Sequence, residues 1–241
     1  MNTDGLPIKP EFEWVAQQGD QSIRYLQHGA PSPLIRWHYH EEYELRLIKR
    51  TSGKMFVGDY IGNFEPGNLV LVGPNLPHNW ISHMEEGEAV AVRDQVVQFS
   101  TDFIDNCRTL MPEFDTIKPM LERARFGVQF DDEQLLPQAM LLFDQLSKSA
   151  GLKRLVIFFQ LLELLSSTED YRTLSSDHHK PLIDEKNLIW VNHAVNYIFE
   201  NFDRELSLDE VANHMGMAST YFSKYFKRAS GHRFIEFVNR L

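Results

Sequence analysis

The sequence predicts a multidomain β-plus-α chain. An N-terminal antiparallel β-barrel or sandwich carries appended helices, and a separate all-α unit follows. Three observations predict this. Between about residues 20 and 100, short β-rich runs alternate with Gly, Pro and Asn punctuation. From about 101 to 168 the apolar residues recur at helical spacing. A polar stretch rich in turn formers, 166–186, then separates this part from a second helical pattern that Gly216 interrupts.

The strand-like runs are 34–40, 43–49, 54–58, 68–72 and 89–99. They are set apart by the turn clusters Thr51-Ser52-Gly53, Gly58-Asp59, Gly62-Asn63 and Glu65-Pro66-Gly67. Many short strands at such intervals suit an antiparallel sandwich or barrel. Two helices follow. Residues 134–146 place Leu135, Ala139, Leu142 and Leu146 on one stripe, and 152–165 place Leu155, Phe158, Phe159, Leu162 and Leu165 on another. The stripes are broad enough to cover the β unit and leave a surplus for a dimer seam. After the polar stretch, Leu188, Val191, Ala194, Val195, Ile198, Phe199 and Phe202 define a helix. Ser207 stands three residues before Glu210, as in a capping box, ahead of a helix through Met215. A second short helix spans about 219–228, and a further one starts at Phe234. The resulting division is 1–130, 131–168, a linker over 169–186, and 187–241.

Composition excludes several classes. Of 241 residues, 43% are hydrophobic and 24% charged, with 17 Phe and four Trp, so global disorder is excluded. The single cysteine, Cys107, has no internal disulfide partner, which fits a reducing compartment; it reads as a packing residue. Residues 1–10 show no secretory signal, and no apolar run approaches the ~20 residues of a membrane span, so a cytoplasmic location is expected. The net charge of −10 argues against a chain coated in phosphate-binding cations. No nucleophile elbow or phosphate-cradling glycine loop is present, and His178-His179 reads as solvated.

The charge is nonetheless unevenly placed. From 184 to 215 seven acids face two cations. From 216 to 241 the cations Lys224, Lys227, Arg228, Arg233 and Arg240 face one acid, Glu236. The second short helix is therefore the basic element of an acidic molecule, as an element approaching phosphates requires. A second signal lies in the β region. At strand spacing His38, His40, Glu44 and Arg46 share one face with Glu42, and Trp37, Tyr39, Tyr43, Leu45 and Leu47 share the other. The plain reading of that polar face is the solvent side of a strand.

Two resemblances sharpen these signals. The string Leu206-Ser207-Leu208-Asp209-Glu210-Val211-Ala212, Met215-Gly216-Met217, Tyr221 through Arg228, Gly231 and Phe234-Ile235 closely resembles the first helix-turn-helix of the AraC/XylS family of bacterial transcription regulators. It covers about 188–241. The resemblance implies a core of Leu208, Val211, Ala212, Met217, Phe222 and Phe226. It also implies base-edge contacts at Thr220, Ser223 and Lys224 and phosphate contacts at Lys227 and Arg228. Tyr221 and Tyr225 read as packing residues. Ala218 stands where the family usually has a capping Ser or Thr. The family also carries a second helix-turn-helix beyond a long helix that would begin near Leu241, so a truncated, weakly binding DNA-binding domain is expected.

His38-x-His40-x-x-x-Glu44, with Pro66-Gly67, Pro74 and His78, resembles the two cupin motifs, although Gly53 comes late and Pro74 to His78 is one residue short. This resemblance implies His38, His40, Glu44 and His78 as ligands of a divalent first-row metal such as Fe, Mn, Ni or Zn. It also implies an effector pocket walled by Arg36, Arg46, Trp37, Asn79 and Trp80. There an arginine would pair with an anionic effector or bridge Glu42 or Glu44. Family regulators often place a cupin-like sensor before the DNA-binding domain. The whole chain thus looks like a ligand-responsive, homodimeric regulator rather than an enzyme, with operator DNA, a small effector and RNA polymerase as partners and no membrane contact. Alternatives are a metal-dependent cupin enzyme and a dimeric sensor fragment that does not bind DNA alone.

Overall fold

The structure, a computed structural model, describes Glu13, Val15, 21–31, 37–85, 87–176, Ala194, Tyr197, Ile198, Asn201, Arg204, 206–230 and 233–238, without the side chains of 228–230. Nine strands are described: β1 (Arg24–Ala30), β2 (Tyr43–Ile48), β3 (Gly53–Val57), β4 (Tyr60–Phe64), β5 (Leu69–Val72), β6 (His78–Ser82), β7 (Val90–Phe99), β8 (Val128–Phe130) and β9 (Tyr171–Thr173). They form a six-stranded sheet, β1-β7-β2-β5-β8-β9, and a three-stranded sheet, β4-β3-β6, with every pairing antiparallel. The two sheets do not close into one barrel.

Strand alternation sorts the side chains into layers. Leu45, Leu47, Leu69, Leu71, Val97 and Phe99 leave the outer face of the large sheet. They pack with α1 (Thr101–Leu110), α2 (Lys118–Arg123), α3 (Leu135–Ser147) and α4 (Gly151–Ser166) through Ile104, Leu121, Phe143, Phe158 and Leu162. Ile48, Val70 and Val72 leave its inner face and meet Met55, Val57 and Trp80 of the small sheet. The outer face of the small sheet carries Phe56, with Ile61 and Ile81 beside it. These join a third apolar cluster with Trp37 and the core of α5 (Leu208–His214), α6 (Ser219–Ser230) and α7 (Phe234–Val238). Three apolar layers thereby remove side chains from water.

Several elements depart from the sequence expectation. Of the expected strand 34–40, only 37–40 is described, and it forms isolated bridges, His38 to His78 among them, rather than a named strand. Gly62-Asn63, read as a turn, lies inside β4. The Tyr60 ring lies over Gly62, and a side chain there would have to displace it. β1, β8 and β9 have no clear period in sequence; β9 falls within 169–186, read as linker, and pairs with β8 at the sheet edge. Cys107 is buried on α1. The residues His178 and His179 lie outside the described residues.

Candidate functional site

The polar face of the 38–46 segment is not the solvent side of a strand. His40 and Glu44 are each 1% exposed and His78 is fully buried, with His38 and Arg46 buried beside them. The reason is a break at 41–42. Residues 37–39 run alongside β6, where His38 and His78 exchange backbone hydrogen bonds of 3.2 and 2.9 Å. Residues from 43 onward belong instead to β2 of the large sheet. The His-x-His pair and Glu44 thus enter the space between the sheets from opposite sides. Trp37, expected on the face of Leu45, turns the other way, toward Phe56 at 6.0 Å between ring centroids.

His38, His40, Glu44 and His78 each offer one ligand atom, and these atoms lie within 4.8 Å of one another. Nδ1 of His40 meets the carbonyl of Glu42 at 3.0 Å, and Nδ1 of His78 meets the carbonyl of Leu76 at 2.8 Å. Both Nε2 atoms face Glu44: His40 Nε2 hydrogen-bonds to its carboxylate at 3.2 Å, and His78 Nε2 stands 3.6 Å from it. Burial opposes a charge on His40, but the hydrogen bond and charge of Glu44 raise its pKa. His78 Nε2 is buried without a hydrogen-bond partner. An orphaned imidazole nitrogen at the centre of three histidines and a carboxylate is the donor set a divalent first-row cation takes. Nε2 of His38 also stands 3.5 Å from Glu13.

Arg46 bridges Glu44, one of the two roles its sequence position left open, and Asp94. Its guanidinium donates to Glu44 at 2.9 Å through Nε and to Asp94 at 2.8 Å through Nη1, and it lies 4.7 Å over the ring of Trp80. Gln98 donates to the other Glu44 oxygen at 3.0 Å, while Arg93 and His28 complete the shell of Asp94. Burial alone would raise the Glu44 pKa, but Arg46, His78 and His40 outweigh it and hold the carboxyl well below its ordinary range. Burial likewise opposes ionisation of Asp94, yet Arg46, His28 and Arg93 bring it down to about 2. Burial pushes His78 below its ordinary value against the pull of Glu44. Glu44 is therefore ionised and His78 neutral, the forms that bind a cation.

Sequence reasoning missed His28, Arg93, Asp94 and Gln98, which long-range pairing of β7 with β1 and β2 brings in. The available signal was an Arg-Asp pair and Gln98 set inside an otherwise Val-rich buried strand. Arg36 lies outside the described residues. Trp80 lines the layer between the sheets, and Asn79 is buried on the opposite face beside Phe56. A cavity of about 290 Å³ adjoins the site through Glu42 and Gln98 and is lined also by Ile23, Arg24 and Phe103.

In the C-terminal unit, Ser207 Oγ accepts from the Glu210 amide at 3.1 Å, capping α5. The reciprocal half of the expected capping box is replaced: Tyr197 donates to the Glu210 carboxylate at 2.9 Å, and Arg204 pairs with it. Val211, Ala212, Phe222 and Phe226 are buried, while Leu208 and Met217 pack at the edge. On α6, Thr220, Lys224 and Lys227 are exposed and Ser223 is half-buried; the side chain of Arg228 lies outside the described residues. Of the two tyrosines read as packing, Tyr225 is buried but Tyr221 is 61% exposed.

No protein-family model matches the chain, and a search of curated proteins finds no match. Among solved structures, the chain is similar to the AraC-like transcriptional activator CuxR at 9% identity and a TM-score of 0.41, covering 91% of this chain and 74% of that one. It is also similar to ToxT from Vibrio cholerae at 13% identity and a TM-score of 0.37, covering 92% and 99%. The likeness to ToxT bound to an unsaturated fatty acid has 13% identity and a TM-score of 0.32, covering 91% and 94%. Among the described residues, no helix is long and apolar enough to cross a membrane.

Proposed function

We propose that this chain is a DNA-binding transcription regulator whose cupin-like N-terminal unit senses a divalent cation. The observation that carries the DNA-binding half is α5, the turn at Gly216 and α6. The string resembling the AraC/XylS motif packs there into an apolar cluster shared with Trp37 and Phe56, with Thr220, Lys224 and Lys227 exposed. A basic, exposed second helix over a buried first-helix contact is the arrangement that enters a major groove. Ser223 and Lys224 are assigned to base edges with Thr220, and Lys227 and Arg228 to phosphates. The exposed Leu141 of α3 and Leu152 and Val156 of α4 are assigned to a homodimer seam.

Selection of duplexes from a random library, followed by titration at two salt concentrations, tests this reading. Lys224→Ala is expected to weaken the selected site about fivefold or more, and to reduce the salt slope by about one if it meets a phosphate instead of a base. Recovery of no preferred duplex, or an unchanged affinity in the variant, overturns the assignment.

The sensing half is supported by the buried convergence of His38, His40, Glu44 and His78 and by the orphaned His78 Nε2. A bound ion would supply positive charge facing the Glu44 carboxylate and would be held by Glu44 with imidazole nitrogens of His38, His40 and His78. Elemental analysis of untagged protein, prepared without chelators, is expected to find about one Fe, Mn, Ni or Zn per chain and none in the His38→Ala/His40→Ala variant. A metal-free wild type that also fails reconstitution overturns the cation reading and leaves an organic effector to be sought.

A further inference from the structure

Among the described residues, the buried carboxylates and guanidiniums are Glu44, Asp94, Arg46 and Arg93. They form one network in which two negative charges face two positive ones. Arg46 holds Glu44 and Asp94 at 2.8 Å each, and Arg93 holds Asp94 at 2.5 Å. A metal ion takes its histidine ligands in their neutral form. With neutral imidazoles the buried network is balanced before any ion enters. A divalent cation therefore adds two positive charges that Glu44 does not offset, because Arg46 already does so for Glu44. Uncompensated charge in a buried layer is costly, so an ion that stays there requires further negative charge close by.

Two carboxylates outside the four candidate ligands stand beside the imidazoles. Glu42 Oε2 lies 3.8 Å from Nδ1 of His40, and Glu13 Oε2 lies 3.5 Å from Nε2 of His38. Their settings differ. The Glu42 side chain is 14% exposed, whereas that of Glu13 is 36% exposed and also faces Arg24 at 3.8 Å. Arg24 in turn donates to Gln98, and His28 is engaged by Asp94. Water screens an exposed charge more than a buried one, and Arg24 offsets part of the Glu13 charge, so Glu42 acts more strongly on an ion. The backbone carbonyl of Glu42 accepts from His40 Nδ1 at 3.0 Å. A substitution at 42 thus removes the carboxylate and leaves the bond that orients the ring.

We propose that Glu42, with a smaller contribution from Glu13, is the outer carboxylate that offsets a divalent cation held by His38, His40, Glu44 and His78. Glu42 is then a positioning residue that acts through His40 and across space, not a ligand. This inference rests on the cation reading given above. A carboxylate beside a ligand imidazole also makes the imidazole a stronger donor, which works in the same direction as the charge.

Calorimetric titration of zinc ion alone into the full, chelator-treated chain tests it. Glu42→Gln keeps the shape of the side chain and removes its charge. It is expected to weaken zinc binding about tenfold or more. Glu13→Gln is expected to weaken it about threefold, with a gap to wild type that closes as salt is added. Glu42→Asp is expected to recover most of the loss, and the metal-free Glu42→Gln chain to unfold at the wild-type urea midpoint. A Glu42→Asp chain that binds zinc no better than Glu42→Gln, or a lowered metal-free midpoint in Glu42→Gln, makes the residue structural and overturns the proposal. Equal zinc affinities in wild type and Glu42→Gln also overturn it, and leave the four ligands standing. No zinc binding by wild type overturns the cation reading itself, and this inference with it.

Discussion

Arg46 shows how a single side chain changes what a pocket is for. A buried cation pinned between Glu44 and Asp94 and laid over Trp80 satisfies two carboxylates that no water reaches, so its charge is spent internally. Asp94 carries a measurable consequence. Its folded pKa of about 2 lies below the unfolded value of about 3.9, so it contributes stability above pH 4 that is lost as the pH falls through 2. In urea unfolding, Asp94→Asn is expected to be strongly destabilised at pH 6. The gap to wild type is expected to narrow by about 2 kcal/mol between pH 5 and pH 2. A gap independent of pH would mean that Asp94 is not held ionised by Arg46, His28 and Arg93. The candidate ligands were legible at this scale because motif spacing is local, although the strand parity assumed across 41–42 does not hold. Their partners were not: Glu44 to Gln98 and Arg46 to Asp94 span 54 and 48 positions, and only sheet pairing brings them together.

At the scale of elements, residues with a long, strong period were readable and short edge pieces were not. The stripes of α3 and α4 extend over 13 and 16 residues, enough turns to declare a helix. β8 and β9 have three residues each and owe their existence to neighbouring strands. The turn between α5 and α6 lies at the readable extreme. Gly216 adopts φ of +64° with nothing within 4 Å of where a Cβ would stand. Gly216→Ala is therefore expected to cost about 1 kcal/mol through backbone conformation alone, with no clash to add. Hydrogen exchange in α5 and α6 measures it. A loss of several kcal/mol would show that the turn packs more tightly than its surroundings indicate.

At the scale of the whole molecule, the chain is a stack: helices, large sheet, polar and apolar interlayer, small sheet, and the C-terminal helices. Composition announces abundant core material but not its division into three clusters, because the inner and outer faces of a strand differ only by parity. The stack also bears on time. The four candidate ligands lie in the middle layer, nearly sealed from solvent. An ion reaching them waits for a local opening of the sheets, and it leaves by the same rare event. On the proposed cation reading, the residence time would be set by the protein and not by diffusion, so the chain would average over brief fluctuations in supply and answer only to exposure that lasts.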